Sequence, residues 1–376
     1  MKKLIYILPL TFAILLTSCS GKEAITENNT DTKDITTKSE ENVMKDNTTT
    51  QEPAEEVAIT ESPGTVDATA ENTNTEDTAT MDAGTKEDIK AAFTASDIIP
   101  AQYLTKRTDS CGSIQHVSYA TYDYFGDSSA ITKYAYVYLP YDYDESKQYN
   151  VLYLMHGIGG SEKEWGLFDD SSKVKIMLDN LIFNGDIEPF IVVAPNGRSS
   201  VNFADSSSDH NSFYLFGQEL RKDLIPYIES TYSTYAEYDK NGYDLTATRD
   251  HRAMAGLSMG GMQTINIGMC EGLDIISYFG AFSACPTTYT SSKIATVLKD
   301  YPEYDINYFY NICGTEDSIA LASASSAVSN LTSLTDKLTD EENFIWQNVS
   351  GGHDFNVWYL GFYNFAQIVF KYNTNQ

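Results

Sequence analysis

His251-Arg252-Ala253-Met254-Ala255-Gly256-Leu257-Ser258-Met259-Gly260-Gly261 is the stretch on which the reading of this chain turns. Its first residues form a strand-like run, and Gln263 to Met269 beyond it continue as a helix. Where a strand turns sharply into a helix, the residue at the turn is held in a strained backbone conformation. Glycines two residues to either side, here Gly256 and Gly260, let neighbouring backbone pass without a Cβ clash. Ser258 occupies the turn, which makes its hydroxyl a candidate nucleophile. A five-residue pattern is weak by itself, and the apolar run before it and the Gly-rich helix start after it give it weight.

Outward from this elbow, strand-like and helix-like runs alternate. His116 to Tyr124 and Lys133 to Leu139 read as strands with a turn at Gly126-Asp127. Asn150 to Met155 and Phe190 to Ala194 are short continuous apolar runs, as expected of strands covered on both faces. Tyr278 to Phe282, Tyr308 to Cys313 and Phe344 to Val349 supply three more strands. Helices are expected at Val174 to Phe183, at Gly217 to Ser230 with Pro226 as a kink or start, near Ala327 to Leu338, and at Val357 to Phe370. This alternation predicts an α/β fold: a mostly parallel central sheet covered by helices on both faces.

A serine nucleophile needs a base, and the chain has five histidines. In the α/β-hydrolase order of serine, acid, histidine, only His353 lies beyond Ser258; it follows the Phe344 to Val349 strand through Ser350-Gly351-Gly352. The acid belongs after the preceding strand, where Gly314-Thr315-Glu316-Asp317 stands. Asp317 is the choice, with Glu316 and Asp354 as alternatives, and its expected work is to fix the histidine tautomer and stabilise the imidazolium. His156-Gly157-Ile158-Gly159-Gly160 follows the Asn150 to Met155 strand and leaves backbone N–H groups unobstructed. The N–H groups of Ile158 and Met259 are therefore the expected oxyanion donors, with His156 holding the loop by a hydrogen bond. No Lys-Ser/Thr follows these glycines, so a phosphate loop is excluded. Trp165, just past the loop, is a candidate to line a substrate cleft and stack on a sugar or aryl ring, with core packing as the other reading. Phe203 to Tyr214, which carries His210, reads as a cleft wall or a surface loop.

The 376 residues carry 25 Lys+Arg against 53 Asp+Glu, a net charge of −28, which excludes a nucleic-acid partner. The basic start Met1-Lys2-Lys3, the apolar run Leu4 to Leu16 and Leu16-Thr17-Ser18-Cys19 predict a signal peptide over residues 1–19 with a lipobox, Cys19 being lipidated. The protein is thus expected to be exported and held at a bacterial membrane, facing outward. Residues 20–88 form an expected tether: from Ser20 to Thr85 there is no aromatic residue, and Lys22 to Gly84 hold sixteen acids and four lysines. As a flexible coil this tether would reach roughly 45 Å. Residues 89–376 form the expected folded domain. Cys111, Cys270, Cys285 and Cys313 have neither C-x-x-C spacing nor a nearby histidine, so no metal is expected, and buried free thiols are favoured over disulfides. No cofactor is implied.

The combined motifs resemble a known family. Val137-Tyr138-Leu139-Pro140-Tyr141-Asp142-Tyr143-Asp144, Tyr149 to Gly157, Leu220 to Glu229, Arg249 to Gly261 and Gly314 to Asp317 look like the esterase-D-related branch of carbohydrate esterase family one, over about Gln102 to Tyr372. That branch holds feruloyl and acetyl xylan esterases, and the resemblance implies a serine esterase acting on acylated plant polysaccharide or oligosaccharide. The chain departs from it at Ile158, which interrupts the glycines, at Asp354-Phe355 after His353, and at Ser283-Ala284-Cys285 after the sixth strand. Feruloyl and acetyl groups both stay open. Rival readings are a thioesterase of the S-formylglutathione-hydrolase type and a non-catalytic carbohydrate-binding lipoprotein on a hydrolase scaffold.

Overall fold

The structure, a computed structural model, describes residues 93–204, 210–236, 238–239 and 242–371. The expected signal peptide with Cys19 and the expected tether lie outside the described residues. Eight strands form one sheet: β1 (Ser113–Tyr122), β2 (Ala130–Leu139), β3 (Val151–Met155), β4 (Ile191–Pro195), β5 (Arg252–Leu257), β6 (Tyr278–Phe282), β7 (Tyr308–Gly314) and β8 (Phe344–Val349). Their order is β1-β2-β4-β3-β5-β6-β7-β8. β1, β2 and β4 pair antiparallel in turn, and every pair from β4 through β3 to β8 is parallel. A two-residue hairpin, Tyr238–Asp239 with Gly242–Tyr243, stands apart from this sheet.

The continuous apolar runs hide a period of two. Along β3, Val151, Tyr153 and Met155 enter one core, and Leu152 and Leu154 enter the other. β4 divides in the same way, Ile191 and Val193 against Val192 and Ala194. Each face is roofed by helices, so neither set of side chains can be polar. The helices are α1 (Lys173–Asn184), α2 (Phe216–Glu219, a π-helical turn at Leu220–Leu224, and Ile225–Thr231), α3 (Met259–Gln263 continued by π-helical Thr264–Met269), α4 (Ser291–Leu298), α5 (Leu321–Val328), α6 (Leu331–Leu334) and α7 (Phe355–Ile368). α1 is capped by the Ser172 hydroxyl and closed by Gly185 at φ 75°.

Two helices differ from expectation for local reasons. Pro226 does not break α2, because the π-turn before it bonds Ile225 N–H to Leu220 O and so absorbs the irregularity. The single helix expected near Ala327 to Leu338 is two, α5 and α6. Asn330 between them takes a left-handed φ of 55°, a conformation asparagine tolerates better than most residues.

Register places the chemistry. Met155 lies opposite Gly256, Leu257 opposite Phe282, and Val349 opposite Gly314. The last residues of these parallel strands therefore line up along one edge of the sheet, and the loops leaving that edge carry His156, Ser258, Asp317 and His353. Loops beyond the carboxyl ends of parallel strands are where α/β sheets place ligand sites.

Candidate active site

Ser258 joins β5 to α3 with φ 52° and ψ −113°, a region a non-glycine residue occupies only when its surroundings hold it there. A Cβ on Gly256 would lie 2.7 Å from the Gly260 carbonyl carbon, and one on Gly260 would lie 2.6 Å from Met155 O. Both positions need glycine because backbone passes there at close range. The strain is held by three backbone bonds: Ser258 N–H to Phe282 O at 2.9 Å, Met262 N–H to Ser258 O at 3.0 Å, and Cys285 N–H to Ser258 O at 3.1 Å.

The Ser258 side chain reaches His353, with Nε2 3.0 Å from Oγ, and His353 Nδ1 lies 2.8 Å from Asp317 Oδ2. Asp317 is buried, and its Oδ1 accepts from Ile319 N–H at 3.0 Å and Ala320 N–H at 2.8 Å. Burial opposes its charge, but hydrogen bonds from Ala320 N–H, His353 and Ser283 outweigh burial and hold the carboxyl below the ordinary aspartate range. An ionised Asp317 requires a proton on Nδ1 and so leaves the Nε2 lone pair facing the serine hydroxyl. The two alternative acids are committed elsewhere. The Glu316 carboxylate accepts from Gly351 N–H, and Asp354 caps α7 through Asn356 N–H at 2.8 Å. His353 packs edge-on against Trp358, ring centroids 5.1 Å apart.

The loop after β3 runs directly beside the serine: a Cβ on Gly157 would lie 3.4 Å from Ser258 Cβ. Gly197 N–H donates to His156 Nε2 at 2.9 Å, so the imidazole proton is on Nδ1, which donates to Gly157 O at 2.6 Å. Burial pushes the His156 pKa down to about 3, which keeps the ring neutral. Gly157 O and Ile158 N–H belong to one trans peptide and point in opposite directions. Fixing the carbonyl on His156 therefore turns the Ile158 N–H away from that ring. At the other wall, Met259 is the first residue of α3, whose opening N–H groups lack intrahelical acceptors. Ser258 thus stands between the first turn of α3 and the glycine loop after β3.

Trp165 is corrected. It is 1% exposed, its Nε1–H donates to Met155 O at 3.0 Å, and its ring packs among Phe282, Phe355, Tyr359 and Phe362. No face is left for a sugar or an aryl ring, and the residue is a core anchor under the loop. His210 stands at the border of the residues not described. Three buried or half-buried side chains escaped sequence reading. Arg198 donates to Gly160 O at 2.8 Å and to Ile158 O. Gln263 donates to Gly197 O and Phe213 O, each at 2.9 Å. Glu164 Oε2 accepts Gly157 N–H at 2.5 Å. None stands in a recurring pattern, since each grips backbone carbonyls or amides that only the fold brings near. Cys111, Cys270, Cys285 and Cys313 are all free thiols. Among the described residues no group of three or more His, Cys, Asp or Glu is placed to hold a metal ion.

Residues 132–359 match the model of the Esterase family, more than half of the chain. The chain belongs to the Esterase family. This Esterase-family chain is 43% identical over 148 residues to endo-1,4-beta-xylanase Y of Acetivibrio thermocellus, covering 39% of its own length and 12% of that protein. It is 32% identical over 229 residues to an endo-1,4-beta-xylanase/feruloyl esterase of Xylanibacter ruminicola, covering 58% of its own length and 28% of that protein. It therefore spans well under half the length of these curated relatives. Among solved structures it is similar to a feruloyl esterase module from Clostridium thermocellum complexed with sinapinate, at TM-score 0.61 and 28% identity over 76% of this chain and 99% of that one. It is also similar to the CE1 ferulic acid esterase of Anaeromyces mucronatus, at TM-score 0.59 and 26% identity over 74% of this chain and 98% of that one. These neighbours agree with the resemblance to carbohydrate esterase family one and with an α/β-hydrolase fold.

Proposed function

We propose that the chain is an exported, lipid-anchored serine esterase that hydrolyses feruloyl or acetyl esters on plant cell-wall polysaccharide such as xylan. The observation that carries the chemistry is the line Ser258 Oγ, His353 Nε2 and Nδ1, Asp317 Oδ2, with contacts of 3.0 and 2.8 Å. The feruloyl esterases among the relatives support the substrate class, and the Leu4 to Cys19 segment supports export and anchoring.

Ser258 Oγ attacks the ester carbonyl carbon while His353 Nε2 takes the hydroxyl proton. The tetrahedral oxyanion is received by Ile158 N–H and Met259 N–H, which bond it better than the ground-state carbonyl. His353 then passes its proton to the departing sugar oxygen as the carbonyl C–O bond breaks. Water, deprotonated by the same nitrogen, attacks the acyl-serine; His353 returns that proton to Ser258 Oγ as the acyl C–Oγ bond breaks, and the free acid leaves. Asp317 carries no proton in this cycle; it holds the tautomer and stabilises the imidazolium.

The test is turnover of methyl ferulate, acetylated xylan, p-nitrophenyl acetate and S-formylglutathione by the full chain and by Ser258→Ala. Release of ferulate or of acetate from xylan, lost by several orders of magnitude in Ser258→Ala, is expected. Turnover confined to the thioester moves the reading to a thioesterase. No turnover at all leaves a binding protein on a hydrolase scaffold.

A further inference from the structure

The carboxylate of Glu164 has no part in proton transfer, yet it lies inside the curl of the loop that presents Ile158 N–H. Its Oε2 accepts Gly157 N–H at 2.5 Å, and a Cβ on Gly160 would overlap the same carboxylate, so the loop from Gly157 to Gly160 is wrapped around it. From the other side Arg198, itself buried, donates to Ile158 O and Gly160 O, and His156 holds Gly157 O. The amide and the carbonyl of Gly157 are thus fixed by two different side chains. The peptide that ends in Ile158 N–H has no freedom left to rotate. We propose that Glu164 is a positioning residue for oxyanion binding: its carboxylate locks the Gly157 amide and thereby aims Ile158 N–H. This rests on the esterase reading of Ser258.

Burial raises the Glu164 pKa, opposed by the Gly157 N–H bond and by the positive charges of Arg198 and His353. Burial raises the pKa of Tyr359, on α7, and the Glu164 charge adds to that rise.

An oxyanion donor acts in the transition state, so a loosened loop lowers kcat and leaves KM nearly unchanged. With p-nitrophenyl acetate, Glu164→Ala is expected to lose roughly 10²-fold in kcat with KM within about threefold. Glu164→Gln keeps an acceptor oxygen and should recover most of that loss. Backbone hydrogen exchange at Gly157 to Gly160 should quicken in Glu164→Ala, and this reads the clamp without turnover. Wild-type kcat in Glu164→Ala, a loss carried by KM alone, or unaltered exchange overturns the proposal. If Glu164→Ala does not fold, Glu164→Asp decides, because its shorter side chain draws the acceptor away from Gly157 N–H: wild-type kcat with unaltered exchange at Gly157 to Gly160 overturns the proposal. Failure of the esterase reading looks different, since the wild-type chain itself would then turn over none of the esters.

Discussion

At the scale of single residues, the site divides into groups that move protons and groups that hold them still. Ser258→Ala and His353→Ala should each abolish all but a trace of turnover, and the double variant should cost little beyond either single one because the pair acts as a unit. Asp317→Asn should be the mildest of the three, since it leaves nucleophile and base in place; steady-state kcat on p-nitrophenyl acetate checks this order. His156 gives a prediction about pH. Its folded-state pKa is lowered from 6.5 to about 3, so between these values the unfolded chain binds a proton that the folded one refuses. The stabilisation is whole above about pH 6.5 and is lost as pH falls toward 3, at up to roughly 1.4 kcal/mol per pH unit for one proton. The difference in urea midpoint between the wild-type chain and His156→Gln, measured at pH 7 and pH 5, should shrink at the lower pH. A constant difference would show that the ring does not titrate in this way.

At the scale of elements, the strand ends and the glycines beside them set the geometry. Gly314 closes β7, and a Cβ there would overlap the carbonyl oxygen of Gly351, whose loop carries His353. Backbone cannot yield as a side-chain tip can, so Gly314→Ala should push the histidine off Ser258. A displacement of about 1 Å is worth on the order of 10²-fold in rate. We expect kcat to fall by about that factor with KM little changed, and an unaltered kcat would show that the loop absorbs the methyl group.

At the scale of the whole molecule, two apolar cores on opposite faces of one sheet make the folded region self-sufficient. A chain lacking residues 1–88 should keep the thermal midpoint and the kcat/KM of the full chain. A loss of either would mean that the preceding residues belong to the fold or the site. Cys19→Ser should release the protein into the soluble exported fraction, because one apolar run of about 13 residues is too short to span a bilayer. Retention in the membrane pellet would argue for an uncleaved anchor.

What the sequence determined by itself is whatever rests on local chemistry. The chain order of the eight sheet strands followed from apolar runs and their lengths, and Tyr278–Phe282 and Phe344–Val349 were bounded to the residue, whereas the helix Ser291–Leu298 was not read from the sequence. The Gly-x-Ser-x-Gly elbow was legible because strain at one serine demands glycines at fixed offsets, and His353 because it is the last of five histidines and alone follows the serine. What only the tertiary structure decided rests on distance between remote parts of the chain. Asp317 was preferred over Glu316 and Asp354 from its place in the chain, but only its burial beside His353 and the amides of Ile319 and Ala320 joined it to the base. Trp165 looked equally suited to a cleft or a core until four aromatic residues from two elements closed over it. Glu164 and Arg198 left no signal, because their partners are backbone groups, and backbone groups are the same at every position until a fold selects which of them meet.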